Sequence, residues 1–163
     1  MVRSRASRDG LLALLDEAFD RKAWHGPNLM GALRGVDAEL AAWRPAPGRN
    51  TIWELTLHCA YWKNVVSGRI GGERPELPWP GANFPEVPAG ADAREWSRSR
   101  RALRDAHRAL RAAVEGLSDI EVASPGPGQK RPRLEHIRGA AFHDVYHAGQ
   151  ISLIARMGES RKR

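Results

Sequence analysis

The chain has 163 residues, 42% of them hydrophobic and 28% charged, and a formal net charge of +7 at pH 7. That is enough for one folded domain over residues 1–163, burying roughly 70% of its unfolded surface. A single cysteine, Cys59, excludes an internal disulfide, and no run approaches the roughly 20 apolar residues of a membrane span.

The opening MVRSRASRDG is basic but leads into Asp16, Glu17 and Asp20 rather than an apolar signal core, so the expected compartment is the cytoplasm. The charge is mostly arginine spread along helical segments, plus the tail Arg161-Lys162-Arg163. Zinc-finger spacing, a recognition-helix pattern and an aromatic–basic RNA motif are all missing, so a solvated surface is expected rather than specific nucleic-acid binding. A nucleic-acid-associated basic bundle is the rival that this charge keeps open.

From Ser7 to Lys22 the spacing predicts a helix, with Leu11, Leu14, Leu15, Ala18 and Phe19 on one face and Ser7 or Asp9 as its cap. Trp24-His25-Gly26-Pro27 breaks it. A second piece carries Leu29, Leu33, Val36 and Leu40 as far as Pro45, so the first leg of the bundle is two helices joined at a kink. Thr51-Ile52-Trp53-Glu54 has the spacing of a capping box. The helix after it runs to about Ile70, with Leu55, His58, Trp62 and Val65 on one stripe and Ile52, Cys59 and Val66 beside it.

Residues 71–91 are rich in glycine and proline and predict a long loop across the bundle, pinned by Trp79 and Phe84. Asp92-Ala93-Arg94-Glu95 offers a second capping box. Its helix extends to about Leu117, with Trp96, Leu103, Leu110 and Val114 on one side and His107 expected among the solvent-facing arginines. Residues 118–133 form another connection, with room for a short extended piece. The last helix, from about Leu134 to Met157, turns Ile137, Ala141, Val145 and Ala148 inward, widened by Ala140, Phe142, Ile151 and Ile154. Gly158 stands where a terminating glycine is expected. Four long amphipathic segments with two long connections describe an all-α four-helix bundle.

His143 and His147 stand four apart on that last helix, where Cβ atoms lie roughly 5–6 Å apart. Two imidazoles there can aim at one point. His58 offers a third ligand from a facing helix. Taken alone, His58 reads as a core histidine bonded to a carbonyl or carboxylate; with the other two it makes a three-imidazole set with an open position, as in catalytic zinc sites. Gln150 shares their face, to orient a ligand or reach a bound water. Asp144 completes H-D-x-x-H and is the local nominee for a general base, although a surface or ligand-orienting pairing suits a residue about 100° round the helix better. Tyr146 either packs or stabilises an oxyanion. His25, at the kink, is a candidate to touch substrate or orient a ligand, against a helix-cap role, and His136 is expected to line the bundle end. Cys59 reads as a buried inert thiol.

The stretches TIWELTLHCAYWKNVV and AAFHDVYHAGQISLIARM resemble those of the DinB-like (YfiT-like) superfamily of metal-dependent hydrolases and thiol S-transferases, which is unrelated to the DNA polymerase of that name. The resemblance covers most of the chain, and H-D-x-Y-H-x-G-Q is its most specific piece. It implies a bundle in up-down-down-up order and a divalent metal, often zinc or nickel, held at the positions of His58, His143 and His147. It also implies homodimers and, in some relatives, transferase or isomerase chemistry with a low-molecular-weight thiol such as mycothiol or bacillithiol. The expectation is therefore a metal-dependent enzyme acting on a small molecule, of thiol-dependent S-transferase type. The alternatives are a metal-dependent hydrolase and a non-enzymatic metal-binding stress-response protein.

Overall fold

A computed structural model describes residues 7–77, 83–85, 87 and 92–161. Among these there are seven helices and no named strand: α1 (Arg8–Phe19), α2 (Leu29–Ala32), α3 (Ala38–Ala42), α4 (Ile52–Ile70), α5 (Ala93–Glu115), α6 (Asp119–Val122) and α7 (Arg133–Arg161). None is long and apolar enough to cross a membrane.

Local chemistry starts α1 to α6. The Ser7 hydroxyl accepts from the Gly10 amide. Thr51 and Glu54 form the full reciprocal capping box at the head of α4, and the Asp92 carboxylate accepts from the amides of Arg94 and Glu95 at the head of α5. Each bond satisfies an amide that has no partner within its own helix. The helix expected after Pro27 is instead two short ones. Asn28 caps α2, the chain turns at Gly35 with φ +76°, and Asp37 caps α3 through the Leu40 amide. A left-handed residue cannot continue a right-handed helix, and the aspartate after it offers a fresh start.

Two apolar clusters fix the direction of each helix. One joins Leu11, Leu12 and Leu15 of α1 to Val66 and Ile70 of α4, Leu110 and Val114 of α5, and Ile137 and Ala140 of α7. The other joins Phe19 of α1 to Ile52 and Leu55 of α4, Trp96 and Leu103 of α5, and Ile151 and Ile154 of α7. So α1 and α7 run from the first cluster to the second, and α4 and α5 run back: up, down, down, up. Parallel neighbours need a crossover. The 19-residue α4 is about 28 Å long, and residues 71–92 must retrace that length. That requirement is the physical reason for the long Gly/Pro-rich loop. Phe84 of this loop packs on the bundle; Trp79, expected to do the same, lies outside the described residues.

The seams are not wholly apolar. On α4 the inward face reads Ile52, Thr56, Cys59, Lys63, Val66, Ile70, and on α7 it reads Ile137, Ala141, Asp144, Ala148, Ile151, all buried. Val145 and Phe142, expected inside, are exposed instead. The spacing of four and three runs through Asp144 rather than Val145, because Lys63 neutralises the carboxylate there. His107 also departs from expectation. It is buried, stacked on Phe19 with ring centroids 3.7 Å apart. Nor does Gly158 end the last helix. It lies within α7, where a Cβ would meet Leu40 Cδ1 at 2.4 Å and the Trp43 ring at 3.0 Å. Its smallness lets α3 press against α7.

Candidate metal centre

α4 presents His58 from a point midway along its length, and α7 presents His143 and His147 from successive turns. The three rings meet. His143 Nε2 lies 3.0 Å from His58 Nε2 and 3.1 Å from His147 Nε2, and all three ligand atoms fall within 4.8 Å of one another. Imidazole nitrogens about 2.0–2.1 Å from a common zinc-like ion lie roughly 3.0–3.4 Å apart. The spacing fits one divalent ion.

Protonation fits as well. His58 Nδ1 donates to the Asn83 carbonyl at 2.8 Å. A carbonyl only accepts, so the proton sits on Nδ1 and leaves Nε2 a bare lone pair. His147 Nδ1 donates in the same way to Gln150 Oε1 at 2.7 Å, and Gln150 Nε2 donates to the Tyr146 hydroxyl at 3.3 Å. Burial lowers the pKa of all three histidines. For His143 burial acts together with His147, His58 and Lys63 to push it down to about 3. At neutral pH the cluster is uncharged, which is the form that binds metals. His58 and His147 thus each keep a bare Nε2 lone pair beside His143 Nε2, which joins them as a ligand when its own proton is on Nδ1.

The surroundings shape access. The Phe84 ring stacks on His58 with centroids 4.1 Å apart, and Trp62 Nε1 donates to Asn83 Oδ1 at 2.6 Å. The crossover loop thus covers one side of the cluster. A cavity of about 170 Å³ bounded by Trp62, Arg69, His136 and Ala140 reaches His143. A larger one of about 410 Å³, lined by Arg49, Leu55, Leu153, Ile154 and Met157, reaches Gln150.

The sequence model of the DinB superfamily matches residues 5–151. The chain belongs to the DinB superfamily. That superfamily is metal-binding, and the histidine cluster here can hold a metal ion. No curated protein and no solved structure matches the chain.

In this DinB-superfamily chain a second group, Cys59, His143 and Asp144, is also close enough to share an ion. Its chemistry is poorer. The Cys59 thiol is fully buried, and burial, with the neighbouring Asp144 charge, raises its pKa well above the ordinary thiol range. Asp144 Oδ2 is already claimed by Lys63.

Asp144 was the local nominee for a base, with a surface or ligand-orienting pairing expected to suit it better. It lies instead in the core, paired with Lys63, each side chain only 1% exposed. The carboxylate is turned inward because a lysine on the facing seam neutralises it. His25 is exposed at the turn after α1, edge-on to a Trp24 that is 95% exposed. Tyr146 is exposed and sits edge-on to the His147 ring at 4.9 Å. Sequence reasoning missed Asn83, whose backbone carbonyl orients His58. No side-chain pattern announces a backbone acceptor; the only available signal was that a long crossover must pass over α4.

Proposed function

We propose that the protein is a metal-dependent enzyme of thiol S-transferase type acting on a small molecule, with His58, His143 and His147 holding one divalent ion, zinc or nickel. The observation that carries this reading is the convergence of three neutral Nε2 atoms, two of them with their Nδ1–H groups already committed to Asn83 and Gln150. An ion on neutral ligands keeps its full charge and supplies Lewis acidity toward a substrate oxygen or thiol sulfur. The chain's own residues do the rest. Asn83 and Gln150 hold two of the rings in the binding tautomer. Phe84 excludes water from one face of His58.

The transferase reading is preferred to the hydrolase because the local carboxylate is unsuited to proton transfer. Asp144 is locked in a buried ion pair, and a general base must lie within hydrogen-bond reach of the water it activates. The proposal places the protein in the cytoplasm as a homodimer with a low-molecular-weight thiol cosubstrate. Exposed Phe142, Tyr146, Leu153 and Met157 along one side of α7 support self-association.

The test is an assay of metal-loaded protein with mycothiol, bacillithiol and glutathione against monochlorobimane, beside His143→Ala. Thiol-dependent turnover lost in the variant supports the transferase. Ester or amide cleavage without thiol turnover moves the case to a hydrolase, and inactivity with metal bound moves it to a non-enzymatic metal-binding protein.

A further inference from the structure

Away from the histidine cluster, the segment after α1, α2 with the turn after it, and α5 line an open cleft of about 560 Å³. That is within the roughly 300–1,000 Å³ of small-ligand sites. Arg21, Lys22, Arg34, Arg100 and Arg104 all line it, against one carboxylate, Asp20. The Asp20–Arg21 pairing is loose, at 3.9 Å between largely exposed side chains.

Several cations elsewhere on the surface have a carboxylate partner, although others, Arg138 among them, have none among the described residues. Arg44 pairs with Glu54, Arg111 with Asp16, Arg108 with Asp105 and Arg161 with Glu39. In the cleft, Lys22, Arg34, Arg100 and Arg104 have no acidic partner among the described residues. Arg100 and Arg104 stand four apart on α5, where like charges oppose one another. Arg100 Nε is buried and without a hydrogen-bond partner. Burial and the neighbouring Arg104 depress the pKa of Arg100 below the usual guanidinium range. A buried donor left unsatisfied beside a second guanidinium is a cost to the fold, and an anion in the cleft would offset the repulsion between the two guanidinium groups.

We propose that this cleft binds a small oligophosphate, a compact ligand carrying two or more linked phosphate groups. Several guanidiniums and an ammonium converge on one concavity from three segments of the chain. Guanidinium forks match phosphate oxygens in pairs, and a ligand with several adjacent negative charges satisfies the whole group where a monoanion cannot. A nucleic-acid strand would call for a cationic groove that follows a backbone, with aromatic faces for the bases. Among the described residues, no phenylalanine, tyrosine or tryptophan lines this cleft. The proposal shares no residue with the histidine cluster and is independent of the metal-dependent reading.

The experiment is calorimetric titration of the metal-free full chain with sodium tripolyphosphate at about 150 mM salt, where exposed charges are largely screened. Inorganic phosphate and a short oligothymidylate are run as comparison ligands. The expected result is saturable binding of one tripolyphosphate per chain, clearly tighter than monophosphate. Arg100→Gln and Arg104→Gln should each weaken it by roughly tenfold or more. Arg138→Gln, which removes an exposed arginine of α7 outside the cleft, and His147→Ala should leave it within about twofold, as for independent sites. Equal losses in Arg138→Gln and Arg100→Gln would mean diffuse charge and overturn the site. Tighter binding of the oligothymidylate than of tripolyphosphate would overturn it in favour of a polymer groove. An absence of saturation would overturn it outright.

Discussion

Across the seam between α4 and α7, Lys63 and Asp144 form a buried ion pair beside His107, while His58, His143 and His147 gather their ring nitrogens in the space next to it. Both are polar groups set in an apolar bundle, and they solve that problem in opposite ways. The ion pair carries its own neutralisation: an ammonium meets a carboxylate, and His107 and the Phe19 ring lie against the same ammonium. The histidines bring three ring nitrogens together with no charge of the chain's own between them, and only an N–H of His143 to share. One group closes a gap in the core; the other opens a place for a cation. Two polar groups in the same seam are therefore separated by what they lack.

Breaking the self-contained group should have the largest effect. Lys63→Met or Asp144→Leu alone leaves an unpaired charge in the core and should cost about 3–5 kcal/mol in urea unfolding. The double variant should recover most of that, since a well-packed apolar pair replaces a buried ion pair at little cost. If the double variant lost the sum of the two single losses, the pair would not be the coupled unit described.

Acid should act next. Burial, with Lys63 and Arg111 nearby, pushes the pKa of His107 down to about 2 in the fold, whereas the unfolded chain takes up that proton near 6.5. Between those values the unfolded state holds more protons, so stability falls as pH drops below about 6.5, by up to about 1.4 kcal/mol per pH unit. His107→Leu should flatten this part of the stability–pH curve; an unchanged slope would remove His107 as its source.

The smallest of these effects concerns the cluster's support. Gln150→Leu removes the acceptor of His147 Nδ1–H and should weaken metal binding by roughly 10–100-fold, read by competition with a chromophoric chelator. It should leave the stability of the metal-free chain nearly unchanged. A large fall in that stability with no change in affinity would make Gln150 a packing residue.

Much of this was legible in the sequence, where local chemistry and spacing speak directly. The Thr51–Glu54 box, the apolar faces of α1 and α5 and the triad His58, His143 and His147 could all be read from residue type and interval. The misreadings have one shared cause. His107 looked like a surface residue and Asp144 like a base or a surface or ligand-orienting partner, yet each is buried against a partner more than forty positions away. Pairing across helices is invisible to a pattern along one helix. Asn83 was hidden because its role belongs to its backbone. Gly158 was misread because a close approach between α3 and α7 asks for the same residue as a helix end.

The most direct test of the central claim is titration of metal-free protein with Co²⁺, followed by visible absorption, on wild type and on the His58→Ala, His143→Ala, His147→Ala and Cys59→Ala variants. The account predicts one ion per chain with ligand-field bands of nitrogen coordination and no thiolate charge-transfer band, lost in each histidine variant and kept in Cys59→Ala. Binding that survived all three histidine changes, or a thiolate band that vanished with Cys59, would contradict it.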